Sequence, residues 1–154
     1  SQEASFNRGS FATILGLIDH GTTVEIFSVG DSVAVWNQND RLTMLSMHND
    51  YNFNKKPTLL STLYSEKESF FPNFGKDWDV LKLKKKEIKN DELFLLSDAI
   101  ASRIIEISIQ DTVDDAINIL KKNDEELKDW INKEKNLGLL KKDDYTIVWV
   151  ELND

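Results

Sequence analysis

Asp91-Glu92-Leu93-Phe94-Leu95-Leu96-Ser97-Asp98-Ala99-Ile100-Ala101-Ser102-Arg103-Ile104-Ile105-Glu106 is the stretch on which the fold of this chain turns. Residues 93–96 are a continuous apolar run, the pattern of a strand buried on both faces. Ile100, Ile104 and Ile107 then fall at i, i+4 and i+7, one face of a helix over about residues 98–109. A buried strand therefore ends in an acidic residue that opens a helix. Asp98 has two readings. As an N-cap, its carboxylate accepts a free N–H of the first helical turn. As a carboxylate at the mouth of a core strand, it is placed to hold a metal ion. The local pattern leaves both open.

Upstream, residues 10–18 read as a mostly buried strand, with Asp19-His20-Gly21-Thr22 as the turn that follows. Val24, Ile26 and Ser28 alternate with Glu25, Phe27 and Val29 in a second strand over 23–29. Gly30-Asp31-Ser32 interrupts it, and a glycine in a strand pattern predicts a bulge or a close backbone approach. Residues 33–36 resume extended structure, Asn37-Gln38-Asn39-Asp40 turns, and residues 42–47 form the next strand. Together these read as an antiparallel meander. Residues 48–78 are polar and Asn-rich, with Pro57 and Pro72, a long connection of the kind that is usually functional or mobile. Residues 80–83 and 93–96 read as a further hairpin around a Lys-rich segment.

Downstream, Thr112-Val113-Asp114-Asp115 resembles a capping box, and Val113, Ala116, Ile117 and Leu120 mark the buried face of a second helix. Asn123 and Glu126 cap a third, with Leu127, Trp130 and Ile131 facing inward and Gly138 past its end. Residues 146–150 are apolar on both alternations, so they are expected to form a central strand, entered through Asp143 and Asp144.

Composition narrows the function classes. A length of 154 residues predicts one compact domain with its own core. The absence of cysteine excludes disulfides, thiolate chemistry and zinc–thiolate sites, and two histidines, His20 and His48, leave little room for a His-rich metal site. A net charge of −8 argues against non-specific nucleic-acid binding, which needs a positive field. The one basic stretch, residues 82–89, reads as a solvated hairpin. No apolar stretch approaches about 20 residues and no signal peptide opens the chain, so the expectation is a cytoplasmic protein with neither nucleic-acid nor membrane partners. The chain begins with Ser1 rather than Met and reads as strand by about residue 10, so it is expected to be a piece of something longer.

Two core strands thus border acids, Asp98 at the exit of one and Asp143 and Asp144 at the entrance of the other. If those strands are antiparallel neighbours, the carboxylates converge at one edge of the sheet. Such a cluster repels itself unless compensated, and hard oxygen-seeking cations such as Mg²⁺ or Mn²⁺ are the usual compensation. The alternative is that the acids sit on separate loops as caps and turn formers.

Four motifs carry a resemblance: Gly9-Ser10-Phe11-Ala12-Thr13, Val29-Gly30-Asp31-Ser32, Leu95-Leu96-Ser97-Asp98-Ala99, and Asp143-Asp144-Tyr145-Thr146-Ile147-Val148. In this order, each on its expected strand, they resemble the second half of the metal-dependent Ser/Thr protein phosphatases, the protein phosphatase 2C family. Ser97-Asp98-Ala99-Ile100-Ala101 and Leu139-Leu140-Lys141-Lys142-Asp143-Asp144-Tyr145-Thr146 are most similar to its bacterial branch. The resemblance implies an α+β fold, an antiparallel β-sandwich flanked by helices, with a two-metal Mn²⁺ or Mg²⁺ centre at one end. In that family metal-bound water attacks a phosphoryl group in line. Asp98 and Asp143 match metal ligands. Asp144 matches a position that orients its neighbour, and Gly30, Asp31 and Ser32 match a motif read as mainly architectural.

The departures are specific. The family's first half carries a phosphate-holding arginine, an acidic ligand followed by Asp-Gly-His-Gly, and a histidine thought to protonate the leaving group; these motifs are absent here. Neither His20 nor His48 inherits that role, so no catalytic residue is assigned. Ala99 replaces the usual glycine beside the metal, and Phe6 and Asn7 stand where an acidic residue often precedes Gly-Ser, so an accessory third metal is not expected. The resemblance therefore makes residues 1–154 the C-terminal portion of a single phosphatase 2C-like domain that apparently lacks its N-terminal part. The parent domain would hydrolyse phosphoserine and phosphothreonine esters, with a phosphoprotein as substrate and a missing N-terminal segment or second chain completing the fold. Two alternatives stand beside it: a catalytically dead module of the same fold that binds partners or phosphoproteins, and an unrelated acidic α+β binding domain.

Overall fold

The computed structural model describes residues 11–45, 60–61 and 79–152. Among them the chain is a mixed α+β structure with two main antiparallel sheets and three helices. Strands β2 (Ile14–Asp19), β3 (Thr23–Val29) and β7 (Asp79–Lys84) form a three-stranded sheet in the order β2-β3-β7. Strands β4 (Val33–Gln38), β5 (Arg41–Leu45), β8 (Glu92–Leu96) and β9 (Ile147–Glu151) form a four-stranded sheet in the order β5-β4-β8-β9. Two short strands, β1 (Phe11–Ala12) and β6 (Leu60–Ser61), pair with each other. The helices are α1 (Asp98–Gln110), α2 (Val113–Leu120) and α3 (Asp124–Asn136), all between β8 and β9. None of them is long and apolar enough to cross a membrane.

The strand at 93–96 is buried on both faces as its sequence predicts, because it sits between two cores. Leu93 packs with Val24, Ile26, Ala34, Trp36 and Leu83, a cluster drawn from both sheets. Phe94 and Leu96 face the other way, onto Val33, Val35 and the helical residues Ile100, Ile104, Ala116 and Leu120. β4 divides the same way, Val33 and Val35 to one side and Ala34 and Trp36 to the other. Strict alternation would have left one face solvated; these two strands have no solvated face.

Three expectations change at the level of partners. The predicted meander is two hairpins on different sheets, β2/β3 and β4/β5. The chain crosses between them at Gly30, whose φ of +111° suits a residue without a Cβ. An added Cβ there would stand 2.4 Å from Thr13 Cγ2, so the close approach that the interrupted strand pattern predicts is real. The predicted hairpin of 80–83 with 93–96 is absent: β7 pairs with β3, and β8 with β4 and β9. Two short 3₁₀ turns, Lys85–Glu87 and Lys89–Asp91, carry the chain from one sheet to the other. Lys85 in that segment is not solvated. Its side chain is only 8% exposed, with Nζ 2.9 Å from Asp19 Oδ2, and this contact holds the Asp19 carboxyl below its usual range.

The third change concerns 146–150. Among the described residues β9 pairs only with β8 and ends the sheet, so it is not a central strand there. Its double alternation has another source. Trp149 stacks on Phe94 with ring centroids 6.2 Å apart and lies beneath Lys121 Nζ at 4.8 Å, while Val150 packs on the opposite core. Each face is half covered, and Val148 and Trp149 remain 45% and 42% exposed.

The helices begin where the caps predict. The Thr112 side chain accepts the Asp115 N–H, and Asn123 and Glu126 form a reciprocal capping box. Gly138 follows α3 with φ +70°. Leu127, Trp130 and Ile131 are half-buried on the inner side of α3. Arg103 binds Glu134 at 2.5 Å and Glu106 at 3.1 Å, tying α1 to α3. His48, Phe6, Asn7 and the long connection fall outside the described residues, apart from Leu60–Ser61.

Candidate metal centre

Sheet register decides where the acids meet. β8 and β9 are antiparallel neighbours with Leu96 opposite Ile147, so the exit of one lies beside the entrance of the other. Asp98 and Asp143 are thereby brought to the same edge. β4 begins there too, because Val33 lies opposite Leu96, and this adds Asp31 and Ser32. The result is a cleft of about 470 Å³ lined by Asp31, Ser32, Ser97, Asp98, Asp143 and Asp144, with Thr13, Leu15, Leu95 and Val148 among its walls.

Asp98 is not the cap of α1. Ser97 occupies that position, and Asp98 is the first helical residue. Its Oδ1 accepts the N–H of Ala99 at 2.7 Å, one residue along, rather than closing the first turn. Partial burial raises the Asp98 pKa above its ordinary value, and the charges of Asp31 and Asp143 push the same way; the Ala99 N–H and Lys141 oppose them. The carboxylates therefore feel one another. Asp143 Oδ1 accepts the N–H of Asp144 at 2.8 Å.

Asp31 is the residue that sequence reasoning undervalued. Gly-Asp-Ser read as architecture, and Gly30 does serve the crossover. Asp31 nonetheless reaches the cleft, because the crossover ends where β8 ends. The signal available in the sequence was an acid directly after a strand, the same signal that singled out Asp98.

The donor chemistry suits a hard cation: carboxylate and hydroxyl oxygens, with no thiolate and no imidazole among the described lining residues. His20 stands in the β2–β3 turn, 3.8 Å from Glu25. No group of three or more acidic or histidine side chains among the described residues is arranged to hold a metal ion by itself. A larger hollow of about 840 Å³ lies at the other end of β3, lined by Gly21, Thr22, Thr23, Lys84, Lys85, Lys86 and Asp91. Of its lysines, Lys85 pairs with Asp19 at 2.9 Å, and Asp91 is the one acidic residue among its described lining. No protein-family model and no curated protein sequence matches the chain.

Proposed function

We propose that the chain is the C-terminal part of a metal-dependent phosphatase of the protein phosphatase 2C kind, its two sheets packed as a sandwich. The parent activity is hydrolysis of phosphoserine and phosphothreonine esters of proteins with Mn²⁺ or Mg²⁺. The observation that carries this reading is the convergence of Asp98 and Asp143 in one cleft, joined by Asp31. A divalent cation held there would supply charge neutralisation and acidify a water for attack on phosphorus. Asp98 and Asp143 would hold the cation, and the Asp144 N–H, bonded to Asp143 Oδ1, would keep that carboxylate aimed. Such ions need about six oxygen ligands each, and the remainder belongs to the N-terminal segment or second chain that completes the domain.

The alternative is a phosphatase-like module of the same fold that binds partners or phosphoproteins without turnover. Sequence upstream of Ser1 separates the two. An arginine and an Asp-Gly-His-Gly segment there identify the enzyme, and their absence from the gene identifies the module.

On the purified chain, an electron paramagnetic resonance titration is expected to show Mn²⁺ binding that Asp143→Asn abolishes. Turnover of a simple aryl phosphate with Mn²⁺ is expected to be negligible. A wild-type chain that ignores millimolar Mn²⁺ would remove the metal reading. Robust metal-dependent hydrolysis by this chain alone would show that no needed part is missing.

A further inference from the structure

We infer that Ser97 is a positioning residue of the acidic cleft, setting the separation of Asp98 and Asp143; this rests on the cation-binding reading above. A serine at a helix N-cap ordinarily turns its hydroxyl onto an N–H of the first turn. Ser97 has the backbone of a cap, φ −68° and ψ 156°, but makes no such bond. Its Oγ instead accepts the N–H of Thr146 at 3.1 Å, and its own N–H donates to the Thr146 carbonyl, also at 3.1 Å. The ladder between β8 and β9 stops at Leu96 and Ile147. The Ser97–Thr146 pair extends it one step, with a side chain doing what backbone no longer does.

That step lies between the two carboxylates. Asp98 is the next residue after Ser97, and Asp143 stands three residues before Thr146. Asp143 and Asp144 are exposed and belong to a segment without helix or strand. Thr146 is thus where that segment is fastened to the strand end that carries Asp98. Removing the hydroxyl leaves α1 untouched, since Ser97 never capped it and the Ala101 N–H still bonds to the Ser97 carbonyl at 3.0 Å. It frees the Thr146 N–H and leaves the Ser97 N–H bond to the Thr146 carbonyl as the single remaining hydrogen bond of this step, which loosens the Asp143 segment beside Asp98. Residues that orient metal-holding groups act in this manner, and their loss typically weakens metal binding by about 10- to 100-fold.

The test compares Ser97→Ala, Ser97→Thr and Asp143→Asn by Mn²⁺ titration followed by electron paramagnetic resonance, with metal-free melting curves beside them. Ser97→Ala is expected to lose roughly tenfold or more in Mn²⁺ affinity, with a metal-free melting temperature close to wild type. Ser97→Thr, which keeps the hydroxyl, is expected to recover most of the affinity. Wild-type affinity in Ser97→Ala, beside loss in Asp143→Asn, would overturn the role of Ser97 while leaving the cation site standing. A large fall in the metal-free melting temperature of Ser97→Ala would also overturn it, by showing that the hydroxyl holds the fold rather than the site. No Mn²⁺ binding by the wild type would instead overturn the cation-binding reading itself.

Discussion

Asp98→Asn is expected to leave the metal-free protein at least as stable as the wild type at neutral pH, and to remove most of its Mn²⁺-dependent rise in melting temperature. Asp98 holds its proton more tightly in the folded chain, because burial and the charges of Asp31 and Asp143 disfavour the carboxylate. A carboxyl whose folded pKa is raised contributes its stability fully below the unfolded pKa and loses it as pH rises through the folded pKa. At neutral pH the ionised group is therefore a cost, and asparagine removes it. A bound cation reverses the sign for the wild type only. At a hundred times its Kd a ligand adds about 2.7 kcal/mol, and about 2–4 °C per kcal/mol for a domain of this size makes that a rise of roughly 5–10 °C. Differential scanning fluorimetry with and without Mn²⁺ reads both effects. A full rise retained in Asp98→Asn would count against the convergence of these carboxylates on one ion.

The largest loss of stability is expected away from the cleft, at Arg103→Ala. The Arg103 and Glu134 side chains are 11% and 9% exposed, and they meet at 2.5 Å between α1 and α3. Truncating the arginine leaves a nearly buried carboxylate without its counter-charge, which typically costs about 3–5 kcal/mol. Replacing both partners with apolar residues of similar size, Arg103→Met with Glu134→Leu, should recover most of it, since the burial penalty vanishes with the charges. Urea denaturation checks the pair. A loss below about 1 kcal/mol for Arg103→Ala would place the contact in the class of surface ion pairs.

Local structure was readable where residues answer to their near neighbours. The isoleucines of α1, the Thr112 and Asn123 caps and the twofold burial of residues 93–96 need only local sequence, and all are present. The candidate site was readable for a related reason: an acid at the end of a core strand is a local feature, and only the pairing of two strands had to be supposed. What failed was partner choice. The apolar pattern of 80–83 suits either sheet, and neither it nor the Lys-rich turn records that β7 joins β3. Trp149 and Val150 looked like the two faces of a central strand, whereas one covers a helix-side edge and the other the inter-sheet core. Side-chain polarity reports burial of faces, and an edge is a property of backbone hydrogen bonds that no side chain spells out. Asp31 was missed through the same gap, since its place in the cleft depends on β4 lying beside β8.

The pairing of β8 with two distant strands also orders events in time. Leu96 takes Val33 on one side and Ile147 on the other, with the long connection closed before the first contact and three helices before the second. The β2/β3 and β4/β5 hairpins, joined by short turns, need no such loop closure, so they are expected to form before the sheet that β8 and β9 complete. On that order, the edge bearing Asp98 and Asp143 is expected among the last parts to assemble. A cation that grips only the finished edge finds little to hold at the folding barrier, so it should retard unfolding and leave refolding nearly unchanged. In stopped-flow chevrons Mn²⁺ should lower the unfolding arm alone, whereas a shift confined to the refolding arm would put the edge in the nucleus.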